Sequence, residues 1–145
     1  MLEFSEIVAD AQTLDGVVEL PFALRQKSRF RCALPDGTDV GVFLQRGTIL
    51  RHGDCLTGGH GQVIRVDAKS ETVSRVSHQS TLLLSRAAYH LGNRHVALQL
   101  GDGWLQYLHD HVLDDMCRQM GLKVTQQSEP FEPESGAYHG GHHHG

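Results

Sequence analysis

From residue 69 onward the chain alternates segments of period two and period 3.6 in the order strand, helix, strand, strand, helix, strand, an order that few folds accept in so short a span. Thr72-Val73-Ser74-Arg75-Val76 alternates as a strand does. Ser80 is placed to cap a helix running through Leu91, with Gly92-Asn93 as its stop. Val96–Leu100 and Trp104–Leu108 flank Gly101-Asp102-Gly103 as a hairpin, a second helix runs through Met120 to a stop at Gly121, and a last strand spans Leu122–Gln127. The expectation is a ferredoxin-like βαββαβ domain over residues 69–130, an antiparallel sheet with two helices on one face.

Residues 1–68 carry a different signature, that of a small all-β domain. Arg29–Leu34 and Asp39–Leu44 flank Pro35-Asp36-Gly37, where Asp-Gly accepts the positive φ of a tight turn. Further strands are expected at Val17–Leu20 and Gln62–Asp67. The whole is therefore an α+β chain, and 145 residues with 39% hydrophobic content suit two small cores rather than one large one. Glu129–Gly136 is rich in acid and proline, so it is expected to lead residues 131–145 out as a flexible His-rich tail.

Charge and cysteine usage exclude several classes. A formal net charge of -4 lacks the positive excess of a nucleic-acid binder. Arg25, Lys27, Arg29 and Arg31 would share one face if their stretch is a strand, but no aromatic residue joins them on that face, Phe30 falling on the other with Gln26, Ser28 and Cys32, and a solvated face is the plainer reading. Cys32, Cys55 and Cys117 form neither a CxxC pair nor an even set, which suits a reducing cytoplasm. The acidic Met1–Glu6 does not read as a secretion signal, and apolar runs no longer than Leu82–Leu84 cannot span a bilayer.

Histidine is the residue that carries chemistry. Of 11 in the chain, His139, His142, His143 and His144 crowd the end within a Gly-rich stretch, which reads as a native metal-binding tail rather than a purification tag. Neutral imidazole suits nickel, copper and zinc. His109 and His111 flank Asp110, and an extended backbone would place both rings on one side whereas a helix would part them. Asp110, Asp114 and Asp115 fall where a helix dipole favours negative charge and are left out of the ligand set. His95, after a helix stop, is by spacing alone a cap or surface residue, and His52, His60, His78 and His90 read as solvated. No GxSxG, phosphate-loop or HExxH pattern is present, so hydrolysis would need a metal hydroxide on His109 and His111, with no evident general base.

Leu91-Gly92-Asn93-Arg94-His95, taken with Tyr107-Leu108-His109-Asp110-His111-Val112-Leu113-Asp114-Asp115-Met116, resembles the UreE family of urease accessory proteins, and the likeness runs along nearly the whole chain. Pro130–Tyr138 and Asp39–Thr48 match the same family in the same order. The resemblance implies an amino-terminal β domain likened to a chaperone peptide-binding module, a ferredoxin-like metal-binding domain, and a homodimer in which His95 and its symmetry mate anchor one Ni2+ ion. It also implies that His139, His142, His143 and His144 complete that site or bind further metal, and that His109 and His111 form a secondary, peripheral site. Cys117 is not carried over as a ligand.

The expected function is that of a cytoplasmic nickel metallochaperone, not an enzyme, which hands Ni2+ to apo-urease through the accessory GTPase of the maturation complex. Cu2+ and Zn2+ are further ions that such ligands accept. The alternative is a general Cu/Zn/Ni buffer without a delivery partner. Imidazole must be neutral to bind, so affinity is expected to fall as pH drops through about 6.5.

Overall fold

In the computed structural model, which describes residues 1–9, 11 and 13–136, the chain divides into two units, Met1–Lys69 and Ser70–Gly145. In the first unit, Leu2–Phe4 (β1) and Glu6–Val8 (β2) are followed by Gly16–Leu20 (β3), and Pro21 then opens a single helical turn, Phe22–Arg25 (α1). Arg29–Ala33 (β4) and Asp39–Phe43 (β5) form the expected hairpin, with Gly37 at φ 90° in its turn. Cys55–Thr57 (β6) and Val63–Ala68 (β7) complete the unit. The strands lie in two sheets ordered β1-β5-β4 and β2-β6-β7-β3, and Phe4, Val40, Val42, Leu56, Ile64 and Val66 fill the core with almost no exposure.

Two features depart from the all-β expectation for this unit. The turn α1 takes Arg25 out of any strand, so the basic stripe shrinks to Arg29 and Arg31 on β4. Arg25 is fully buried, its Nε donating to the Leu20 carbonyl and its guanidinium reaching the Leu50 carbonyl. A buried guanidinium satisfied by backbone oxygens ties loop to loop and offers nothing to a partner.

The second unit runs Ser70–Ser77 (β8), Thr81–Asn93 (α2), Gln99–Gly101 (β9), Trp104–Leu108 (β10), His111–Gln119 (α3) and Lys123–Pro130 (β11). Its strands pair antiparallel throughout in the order β11-β8-β10-β9. Period-two alternation puts Ser74, Val76, Leu105 and Tyr107 on one face, where they pack with Ala87 and Leu91 of α2 and Cys117 of α3. Ser80 caps α2 by accepting the Leu83 amide proton, and Gly121, at φ 95°, follows α3. The chain as described is a β-rich first unit followed by an α+β second unit.

Residues 129–136 differ from their expectation, while 137–145 of the expected tail lie outside the described residues. Strand β11 extends to Pro130, Phe131 is fully buried, and the Glu134 amide donates to the Leu98 carbonyl at 2.7 Å. The acidic, proline-rich stretch packs because its apolar residues, Phe131 and Pro133, turn inward while Glu134 and Ser135 stay exposed. No helix among the described residues is long and apolar enough to cross a membrane.

Candidate metal site

Gly92 and Asn93, read in the sequence as the stop of α2, lie inside its last turn, and the helix ends one residue later at Arg94. The ending is a Schellman turn: the Val96 amide donates to the Leu91 carbonyl at 3.1 Å and the His95 amide to the Gly92 carbonyl at 2.9 Å. That geometry requires a left-handed residue, normally glycine, and here His95 fills it at φ 61°. Every other described residue with positive φ is glycine. A β-carbon in this conformation costs roughly 1 kcal/mol, so the chain keeps an imidazole at a place where local stability favours none. The side chain is exposed, and among the described residues its ring makes no hydrogen bond.

Helix α2 and its cap expose apolar and polar side chains alike, Leu82 and Tyr89 together with Arg86, Asn93 and Arg94. Leu82 and Tyr89, 60% and 68% exposed, stand two helical turns apart on one side of α2. Ala88, Gly92, Val96 and Leu98 line a shallow groove whose far wall is Glu134 and Ser135 of the closing segment.

His109 is held in the opposite manner. Its backbone amide continues the sheet by donating to the Thr72 carbonyl at 3.1 Å, and its Nδ1 lies 3.2 Å from Asp114 Oδ2 and 3.1 Å from Ser74 Oγ. Asp114 is 2% exposed, and its Oδ1 accepts the Tyr107 hydroxyl at 2.7 Å. Burial pushes the Tyr107 hydroxyl far above its ordinary range, and the bond to Asp114 adds to that shift, so Tyr107 remains a donor at any physiological pH. On the solvent side Gln126 Nε2 stands 3.5 Å from His109 Nε2.

Helix α3 begins at His111, so the helix boundary falls between the two histidines read as a pair. Asp110, extended at φ -154°, caps the helix, its Oδ1 accepting from the Val112 and Leu113 amides. His109 turns toward Asp114 whereas His111 is exposed on the first turn. No group of three or more His, Cys, Asp or Glu side chains among the described residues is placed to hold a metal. His139, His142, His143 and His144 lie outside the described residues.

The remaining candidates have structural roles or none. His52 Nδ1 accepts the Ala68 amide and His78 Nδ1 the Ser80 amide, while His60 and His90 are exposed. Cys117 is fully buried and its thiol is pushed up by that burial, which disfavours the thiolate that a metal needs. Asp114 lies in the first turn of α3, as the sequence reading had it, and the structure adds what that reading did not supply, its contacts to Tyr107 and His109. Its signal was position: it lies one turn from Cys117 on the core-facing side of α3, where an acid needs a partner.

Two family models match in succession, the UreE urease accessory protein N-terminal domain over residues 5–69 and its C-terminal domain over residues 71–145. The chain belongs to the UreE family. It is 57% identical to the urease accessory protein UreE of Alkalilimnicola ehrlichii over 140 residues, covering 97% of this chain and 86% of that one. Its identity to the UreE of Azotobacter vinelandii is 53% over 131 residues, 90% of this chain and 79% of that one. With the UreE of Saccharophagus degradans it is 51% over 150 residues, 100% of this chain and 89% of that one. UreE-family membership thus spans both units, and it falls on a chain whose strained exposed residue is a histidine.

Proposed function

We propose that this UreE-family chain is a nickel metallochaperone of urease maturation, binding Ni2+ as cargo and surrendering it by ligand exchange rather than breaking bonds. The observation that carries the reading is His95, an exposed imidazole kept in a left-handed position within a family of urease accessory proteins. Borderline nitrogen donors suit Ni2+, and Cu2+ and Zn2+ as competitors. One imidazole binds weakly, so the site needs ligands from elsewhere. The exposed Leu82 and Tyr89 face of α2 supports a homodimer that brings a second His95 to the first.

The closing segment supports a contribution from His139, His142, His143 and His144. Glu134 is bonded to Leu98 and Ser135 borders Gly92, and the three residues from Gly136 to His139 reach at most about 10 Å. His109 and His111 form a secondary site. The four-stranded order, with its split strand–helix–strand pairs, supports the ferredoxin-like description of the second unit. An incomplete shell of neutral imidazoles in a cytoplasmic carrier leaves positions open for ligands of the accessory GTPase and apo-urease.

Nickel titration followed by native mass spectrometry of the intact chain, His95→Ala, and a chain ending at Tyr138 tests this. The expected result is a dimer whose tightest single nickel disappears in His95→Ala, with tail removal lowering total capacity. Binding by His95→Ala equal to that of the intact chain would make the protein a tail-borne metal buffer. Transfer of nickel to apo-urease separates delivery from buffering.

A further inference from the structure

The contacts at the start of α3 define which nitrogen of His109 faces outward. Asp114 Oδ1 already accepts from the Tyr107 hydroxyl at 2.7 Å. The carboxylate has no proton to give, and its Oδ2 lies 3.2 Å from His109 Nδ1, a separation at which a negative oxygen favours a proton on that nitrogen. Ser74 Oγ at 3.1 Å tolerates that proton, because a hydroxyl can accept as well as donate. Nε2 is then bare, and it points to the side where Gln126 supplies an amide N–H donor at 3.5 Å. Two N–H groups would oppose each other there, so the solvent side agrees with the core side. A contact that long is easily displaced by a stronger Lewis acid.

We propose that Asp114 is a positioning residue for metal capture, holding His109 in the Nδ1–H form with Nε2 presented outward as the ligand atom. Carboxylate, imidazole and metal would then lie in series, the buried acid fixing the ring's tautomer and orientation and raising the basicity of the ligating nitrogen. Tyr107 holds the far oxygen of Asp114, and the Thr72 carbonyl holds the backbone of His109. Both ends of the ligand are therefore set before metal arrives, which lowers the ordering cost of binding. The inference rests on the metal-carrier reading only in taking His109 as a ligand; the tautomer stands apart from it.

The test is 15N-resolved NMR of His109 in the full-length chain, first metal-free near pH 8 and then with Zn2+ as a diamagnetic probe. The metal-free spectrum is expected to show a protonated Nδ1 and a bare Nε2, and Zn2+ is expected to shift Nε2 selectively. Asp114→Asn keeps the shape and removes the charge. It is expected to move His109 off the pure Nδ1–H form and to weaken Zn2+ binding at this ring about 10–100-fold. Asp115→Asn removes an equal charge from an exposed position one residue on, paired with Arg118, and is expected to preserve the tautomer and the affinity within about 3-fold.

A proton on Nε2 in the unaltered protein overturns the proposal, whether or not Asp114→Asn folds. So does an Asp114→Asn spectrum and affinity that match the parent, and so does an Asp115→Asn effect as large as that of Asp114→Asn, which would assign the change to overall charge. Failure of the nickel-carrier reading registers elsewhere, in the His95→Ala titration, because the His109 signals are read one ring at a time.

Discussion

The end of α2 and the start of α3 each place a histidine at a helix terminus, and they do so by opposite means. His95 is positioned by its backbone alone: a Schellman turn puts it in a left-handed conformation, and its ring is left to solvent. His109 is positioned by side chains: a 2%-exposed carboxylate, itself gripped by a tyrosine, reaches out and takes its Nδ1. A ring held only by its backbone keeps its rotamers and either nitrogen available, which suits an exchange that several partners must share. A ring held by side-chain contacts offers one nitrogen in one direction, which suits capture without further rearrangement. The first arrangement stores strain and the second stores stability, so removing each side chain should move stability in opposite directions.

Asp114→Ala tests the contrast most harshly. It strips the partner from both the Tyr107 hydroxyl and the His109 ring, and the expected loss is about 3 kcal/mol in denaturant unfolding of the second unit. A loss under about 1 kcal/mol would break the comparison.

Tyr107→Phe is next, with an expected loss of about 2 kcal/mol from the abandoned carboxylate oxygen. It carries a pH signature as well. The folded state holds the Tyr107 proton far above the ordinary tyrosine range, whereas the unfolded chain releases it near pH 10. Above that pH the folded state binds more protons, so stability, fully present at lower pH, declines as pH rises. Unfolding measured between about pH 9 and 11 should show a slope that Tyr107→Phe flattens.

His95→Gly should act with the reverse sign, raising stability by up to about 1 kcal/mol because glycine accepts φ 61° without a β-carbon, while removing the imidazole proposed as ligand. A thermal melt reads the first effect and nickel titration the second; a destabilised glycine variant would mean that the turn is not strained. Arg118→Ala should change least. Its 3.5 Å pair with Asp115 is exposed at the far side of α3, and the expected change is within about 0.5 kcal/mol.

Much of this arrangement could be read from local rules. Asp36-Gly37 announced its hairpin, Ser80 its helix and Gly121 the end of α3, because each is a backbone demand met by one residue type. The failures involve long-range contacts. Val96–Leu98 has the composition of a strand, yet Val96 closes the Schellman turn and Leu98 is pinned by Glu134, leaving only Gln99–Gly101 in the sheet. Arg25 alternated with Lys27 as strand residues do, but Pro21 began a helical turn that sends it into the interior. The histidines were visible as residues and His95 came forward through family likeness, but its strain was not visible. Glycine one residue cluster upstream drew attention as the stop, and only the backbone shows which residue takes the left-handed place. Asp114 was hidden for the related reason that its meaning depends on Tyr107, Ser74 and His109, which come from two strands and a loop.

The buried Phe131 and the Glu134–Leu98 bond bear on how the protein ages. A protease trimming inward from the carboxyl end meets no buried side chain at Ser135 and Glu134, then reaches the buried Pro133 and Phe131. Digestion that halts there would discard His139, His142, His143 and His144 while sparing the packed sheet and both helix-end histidines. The molecule so trimmed keeps both helix-end histidines, so its persistence and the number of histidines it carries can change on separate clocks.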